Sequence, residues 1–319
     1  MRAENLLSFR GDKPILTVTE TCSETPQGGR AKAHAGVSEM AVFEARFERL
    51  ELKYLIDEYT ADRIRDDIEP FCQPDPHNFG RGAIGHGAVG HNAGALGRDP
   101  RGSQGYGISS LYLDSPSLAL FYAKERGDPD RLKLRVRSYR GSQIAVLELK
   151  RKISDVIDKT RASVDPAQVK RIARGRLPAP SDPERDRFLT DFALTSMRVG
   201  AQPTLHVRYD REAYSSSVDT YARVTFDRRV EVQRARDWDR APDPEAWCSF
   251  DQYRRPELRD KKVILELKCQ SFVPWWITNL IRSHALKRRS FSKYGVGIYL
   301  TGRLNWETTL PNRSARALL

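Results

Sequence analysis

The segment Arg131-Leu132-Lys133-Leu134-Arg135-Val136-Arg137 alternates charged and apolar residues without a break. Successive strand residues point to opposite faces, so the run reads as a β-strand with four cations on one face and Leu, Leu and Val on the other. The pattern recurs along the chain. Arg49-Leu50-Glu51-Leu52-Lys53, Val146-Leu147-Glu148-Leu149-Lys150 and Ile264-Leu265-Glu266-Leu267-Lys268 share a Glu-x-Lys unit. Lys159-Thr160-Arg161 places two cations on one face, and Tyr221–Asp227 aligns Arg223, Thr225 and Asp227. A single Glu-x-Lys is what an antiparallel sheet with one face in water shows. These faces, however, contain almost no Ser, Gln or Asn, and on most of them cations outnumber carboxylates. An open face of aligned cations repels itself across neighbouring strands. In a closed sheet the charges converge on a lumen and the leucine faces pack outward against helices. Such a lumen is costly when empty and suited to a chain of phosphates.

Strands are expected over Arg46–Leu55, Ser109–Asp114, Arg131–Tyr139, Ile144–Lys152, Val156–Val164, Pro203–Arg211, Tyr221–Val230, Lys262–Cys269 and Gly295–Gly302. Helices have legible ends. Thr60 caps one that stops before Pro70, and Ser115-Pro116 opens one ending at Gly127. Asp165-Pro166 and Asp182-Pro183 open two more, ending at Gly175 and Gly200. Pro274 opens the last, with Trp276, Ile277, Leu280, Ile281 and Ala285 as its apolar stripe and Trp275 and Trp276 read as packing residues. Many antiparallel strands with few helices give an α+β fold. Residues 1–40 read as a tail, and 41–305 as one domain interrupted by a flexible Gly/His-rich insertion at about 74–107. The histidines of that insertion, His77, His86 and His91, have no tight metal spacing. Residues 306–319 read as a second tail.

The chain has 319 residues with 54 Lys+Arg against 42 Asp+Glu, a net charge of +12. This balance calls for a polyanionic partner. Nucleic acid fits poorly, because Lys and Arg are not interleaved with aromatics. Four cysteines without CxxC spacing argue against a disulfide framework and a zinc site, and the expected location is the cytoplasm. No run of about 18 apolar residues occurs, so no membrane span is expected.

Taken together and in order, SLYLDS (110–115), RLKLRVRSY (131–139), LELKRK (147–152), RVTFD (223–227), LELK (265–268) and SFSKY (290–294) resemble the VTC domain. This is the polyphosphate polymerase domain of the triphosphate tunnel metalloenzymes, in the CYTH-like superfamily. The resemblance runs from about Phe47 to Arg303. It implies a closed antiparallel β-barrel with peripheral helices, a basic lumen for triphosphate or polyphosphate, and Mn²⁺ or Mg²⁺ held by glutamate. On that resemblance Lys53 is the first-strand lysine, and Arg135 and Arg137 are the paired phosphate-binding arginines. Lys150 follows the central glutamate, Lys159 is the basic residue of the next strand, and Arg211 and Arg223 are two further arginines. Glu266 falls on the metal-ligand position, with Glu51 and Glu148 placed to assist the metal or position cations. Lys293 is the lysine of the closing motif, beside Ser292. Lys133, Arg161 and Lys268 share the inward faces. Arg211 lies on the opposite phase from Arg208, so one of the two faces out unless a bulge intervenes.

The implied function is transfer of the γ-phosphoryl of ATP onto a growing inorganic polyphosphate chain. An inorganic triphosphatase and a non-catalytic polyphosphate-binding module are the alternatives. The inward cations exceed what one triphosphate can use, and Arg49 stands where a second glutamate would extend the first-strand pattern. Both features favour the polymerase. Any export of product would need a membrane partner.

Overall fold

The computed structural model of the chain describes residues 49–302 except 76–77, 79–104, 155, 239–240, 254–258, 271 and 290–291. The two expected tails, most of the Gly/His-rich insertion with its three histidines, and Cys22 lie outside the described residues. Cys72, Cys248 and Cys269 are free thiols. No described helix is long and apolar enough to cross a membrane.

The alternating segments form β1 (Arg49–Ile56), β3 (Tyr106–Asp114), β4 (Arg131–Tyr139), β5 (Ala145–Ile153), β6 (Val156–Val164), β7 (Gln202–Ser216), β8 (Ala222–Arg234) and β10 (Val263–Gln270). Two short strands, β2 (Cys72–Pro74) and β9 (Cys248–Ser249), pair with β7 and β8. The main path runs β1-β10-β8-β7-β3-β4-β5-β6, and every pairing is antiparallel. Between β4 and β5 the chain reverses at Gly141, whose φ of 79° is in the left-handed region. The Ser142 amide closes that turn on the Tyr139 carbonyl at 3.0 Å.

The leucine faces pack outward, as the alternation requires. Leu52, Val224, Phe226, Leu265 and Leu267 bury against α1 (Glu58–Ile68) and α5 (Trp275–Ser283) through Ile64, Ile68, Trp276 and Ile277. Leu134, Leu147 and Leu149 bury against α3 (Val169–Ala173) and α4 (Pro183–Val199) through Ile172, Phe188, Leu189 and Phe192. Arg151 fastens β5 to α4 with two bonds of 2.6 Å to Asp191. Helix α4 has the bounds its sequence announces, with Asp182 accepting from the Arg185 amide and Gly200 as the left-handed cap. The α1 cap is Asp57, which accepts from the Thr60 amide, rather than Thr60 itself. Trp276 is 3% exposed and stacks on Phe71, but Trp275 is 69% exposed and touches Phe71 only edge-on.

Two expectations change. The sheet is curled but not a closed barrel: among the described residues β1 and β6 are the two ends of the path. At the β1 end the chain leading into α6 (Lys293–Leu300) takes a backbone acceptor instead, with the Arg289 amide donating to the Lys53 carbonyl at 2.8 Å. Helix α6 itself overturns the strand expected over Gly295–Gly302. Ser292 caps it by accepting from the Gly295 amide at 3.1 Å, and Val296, Ile298 and Tyr299 pack on Leu205, Val207 and Val232. Leu55 follows Lys53 by two residues and Ile264 precedes Glu266 by two, and both join this cluster. The helix therefore fills one end of the inner face, which is why it is apolar nearly all round. The opposite facing of Arg208 and Arg211 holds, because the bulge near Arg208 lies in β8 at Arg229, whose φ is 48°. It leaves β7 in regular phase, so Arg208 faces out and stacks on Trp247 at 4.1 Å, while Arg211 faces in.

Candidate functional site

The inner face gathers cations from seven strands of the sheet and from α6, and three groups of them surround carboxylates. In the first group Arg135 Nε donates to Glu148 Oε2 at 2.5 Å, and Arg137 and Lys159 lie 3.6 and 3.7 Å from Oε1. Register dictates this assembly, since Glu148 sits opposite Arg135 on β4 and opposite Arg161 on β6. Burial works against the charged form of Glu148, yet the three cations hold it well below the usual carboxylate range. Lys159 shows the converse: burial, reinforced by Arg135, Arg137 and Lys268 against the pull of Glu148, lowers it to about 7.

In the second group Lys53 lies 2.8 Å from Glu51 and 3.7 Å from Glu266, and Lys268 lies 3.3 Å from Glu266. Lys150 reaches Glu51 from across the curl at 3.7 Å. Burial would depress Lys53, but Glu266 and Glu51 hold its ammonium well above the ordinary lysine value. Glu266 is held well below the ordinary value despite burial, chiefly by Lys268 and Lys53. Lys133 faces Lys53, Lys150 and Lys124, and burial with that repulsion lowers it to about 7.

The third group adjoins the second. Arg211 grips Asp227 by donating from Nε and Nη2, at 2.6 and 2.8 Å, and stands 3.8 Å from Glu266. Lys293 donates to Asp227 at 2.6 Å, its ammonium 4.6 Å above the Tyr209 ring. Asp227 is fully buried, and although burial opposes its charge, Arg211 and Lys293 hold its pKa at about 2.

The remaining expected residues are placed differently. Arg223 turns to Asp75 at 2.5 Å, and Arg161 is exposed on β6. Ser292 spends its hydroxyl on capping α6. Asp227, Tyr209, Tyr112 and Asp75 were not among the expected site residues. Asp227 and Tyr209 lay within reach of the alternation, being in phase with Arg223 and Arg211. Asp75 follows the three-residue strand β2 and carries no periodic signal.

The inner face also holds polar atoms that lack a hydrogen bond. Of the nine such buried side-chain atoms among the described residues, six belong to this face: Ser110 Oγ, Arg137 Nε, Glu148 Oε1, Ser163 Oγ, Arg223 Nε and Thr225 Oγ1. The named cations outnumber Glu51, Glu148, Asp227 and Glu266 by more than two to one. A face so charged and incompletely bonded is complementary to an extended polyanion with many acceptor oxygens.

No cluster of three or more His, Cys, Asp or Glu side chains in metal-holding geometry occurs among the described residues. Glu148 is wrapped by Arg135, Arg137 and Lys159. Glu266 is ringed in the same way by Lys53, Lys268 and Arg211, and Glu51 by Lys53 and Lys150; their carboxylate oxygens are the donor type that a hard divalent ion takes.

Solved structures with related folds include an adenylate-cyclase-like protein of Bacillus halodurans (10% identity, TM-score 0.42, covering 78% of this chain and 95% of that one). Another is an adenylyl-cyclase-like protein of Hippeastrum with a dominant triphosphatase activity (14% identity, TM-score 0.41, covering 83% and 98%). A third is the PH1819 protein of Pyrococcus horikoshii (12% identity, TM-score 0.34, covering 75% and 92%). No curated protein matches the chain. The profile of the VTC domain matches residues 48–301, spanning every strand and helix of the curled sheet, and the chain belongs to the VTC domain family.

Proposed function

We propose that the protein is a polyphosphate polymerase that transfers the γ-phosphoryl of ATP onto the end of an inorganic polyphosphate chain, releasing ADP. One observation carries the reading: the inner face holds two cation groups, around Glu148 and around Glu51 and Glu266, and Arg211 and Lys293, held by Asp227, add further charge beside the second. Membership of the VTC domain family supports chemistry on triphosphate or polyphosphate. A triphosphatase needs one clamp and a place for water, whereas joining two polyanions requires charge on both sides of the reacting phosphorus.

Phosphoryl transfer asks the protein for alignment and charge neutralisation more than for covalent chemistry. Arg135 and Arg137 hold phosphate oxygens on one side, with their guanidinium groups pre-aimed by Glu148. Lys53, Lys133, Lys150 and Lys268 hold them on the other side. Arg211 and Lys293 exchange part of their hold on Asp227 for the phosphate that passes between the groups. When bound by Glu51 and Glu266, Mn²⁺ or Mg²⁺ would withdraw charge from the phosphate oxygens.

The test is to incubate the protein with ATP and Mn²⁺, then separate nucleotides, free phosphate and chains. The reading expects ADP with acid-labile chains and a lag shortened by short polyphosphate. Orthophosphate rising in step with ADP, with no chains and no response to primer, would establish the triphosphatase instead.

A further inference from the structure

Lys293 comes from a helix rather than a strand, so its placement depends on how α6 is held. The residue after it, Tyr294, is 5% exposed and donates its hydroxyl to Asp114 Oδ2 at 2.6 Å. Asp114 ends β3 and is fully buried. Its carboxylate also accepts from the amides of Ser115 at 2.7 Å, Leu120 at 2.9 Å and Phe121 at 2.9 Å. The last two amides belong to α2 (Ala119–Arg126), whose own cap position, Leu118, offers no side-chain acceptor. Three backbone donors therefore fix the carboxylate, and the fourth comes from the neighbour of the lysine.

The Tyr294 ring stacks on Tyr112 at 5.0 Å and 16°, and the Tyr112 hydroxyl accepts from Arg135 at 3.3 Å. One turn further along the same side of the helix, a Cβ at Gly297 would fall 2.4 Å from Leu205 and 3.0 Å from Val232. Helix α6 thus rests on β7 and β8 with no space to spare, and Tyr294 sets its rotation. Between the Ser292 cap and the Tyr294 bond, the Lys293 backbone has little freedom, and its side chain is directed to Asp227 at 2.6 Å.

We propose that Asp114 and Tyr294 form a latch that positions Lys293 for the phosphate chain. The proposal rests on the phosphate-holding role given to the lumen cations. Tyr294 and Asp114 are positioning residues, acting through the lysine and touching no phosphate. A helix held only by its apolar face would let the lysine rotate off line, and a long flexible side chain loses affinity when its base is not fixed.

A double-mutant cycle on metal-free tripolyphosphate binding, read by calorimetry, tests this. Tyr294→Phe keeps the ring and removes only the hydroxyl. It should weaken binding about tenfold in the wild-type background, the size of one lost hydrogen bond, and less than about twofold in a Lys293→Met background. Asp114→Asn should behave as Tyr294→Phe does. If Asp114→Asn proves too unstable to assay, the tyrosine variant decides alone, with its melting temperature as control. An equal loss in both backgrounds, or no loss in the wild type, overturns the latch while leaving the phosphate-holding role standing. Wild-type binding by Lys293→Met alone would overturn that role for the lysine, and the latch with it.

Discussion

The ammonium of Lys150 on β5 stands 3.7 Å from the carboxylate of Glu51 on β1, although five strands separate β1 from β5 along the hydrogen-bonded path. Only a strongly curled sheet brings these side chains together. Both are about one-third exposed, and ion pairs of that kind contribute at most about 1 kcal/mol to stability. Their proximity therefore adds little to folding. Lys150→Ala should move the melting temperature by no more than about 3 °C and weaken tripolyphosphate binding by about tenfold or more. A large drop in melting temperature with unchanged affinity would make Lys150 a structural tie.

The Arg211–Asp227–Lys293 cluster behaves oppositely because it is buried. Asp227→Asn leaves Arg211 without a full counter-ion and should cost about 3–5 kcal/mol in urea unfolding. Asp227 is held at about 2, below its ordinary 3.8. Its contribution is therefore complete above pH 3.8 and is lost as the pH falls through about 2. Acid unfolding of the wild type should show this step, and the Asn variant should lack it.

Repulsion among the lumen cations should make the protein respond strongly to ligand. Tripolyphosphate at about 100 times its dissociation constant should add roughly 2.7 kcal/mol and raise the melting temperature by about 5–10 °C. A flat melting curve across a wide tripolyphosphate range would count heavily against a polyanion-binding lumen.

Glu266→Gln keeps the side-chain shape and removes the charged oxygen that a hard divalent ion prefers. Turnover with Mn²⁺ should fall by at least about 100-fold, the scale on which divalent-ion catalysis acts. Metal-free tripolyphosphate binding should hold or tighten, because an anion has left the lumen. Full Mn²⁺-dependent activity in the variant would remove Glu266 from the metal set.

Lys133 is lowered to about 7 by burial and by Lys53, Lys150 and Lys124. A bound polyanion favours its charged form, so binding between pH 7 and the ordinary value of 10.5 should draw in protons at this site. Affinity should accordingly weaken as pH rises through that window. Calorimetry at pH 8 in buffers of different ionisation enthalpy should show Lys133→Met taking up fewer protons than the wild type. Equal uptake would mean that Lys133 is already charged before ligand arrives.

Where a local signal settles an element, the chain was readable from its residues. Asp182-Pro183 and Gly200 bracket α4 to the residue, and the charged alternation of β1, β4, β5, β8 and β10 named most of the lumen. What escaped depends on three-dimensional filling. Val296 and Ile298, spaced by two and set between glycines, imitate a strand, and only the interior space that α6 occupies explains a helix without a polar face. Closure escaped for the same reason, since no residue of β1 or β6 announces that another segment will meet the Lys53 carbonyl. Asp75 escaped because a carboxylate in an irregular segment has no period to betray it.

Strand β6 forms one end of the sheet path, and its outer row of amides and carbonyls faces no described strand. Such a border invites a second copy of the protein to zip alongside, and molecules resist this by crowding the border with charge. Asp158, Lys159 and Arg161 stand there within four residues of one another. The charges along this border thus also discourage one molecule from annealing to the next. Substituting them to probe the reaction would strip that guard, and such variants would tend towards self-association before they reported on chemistry.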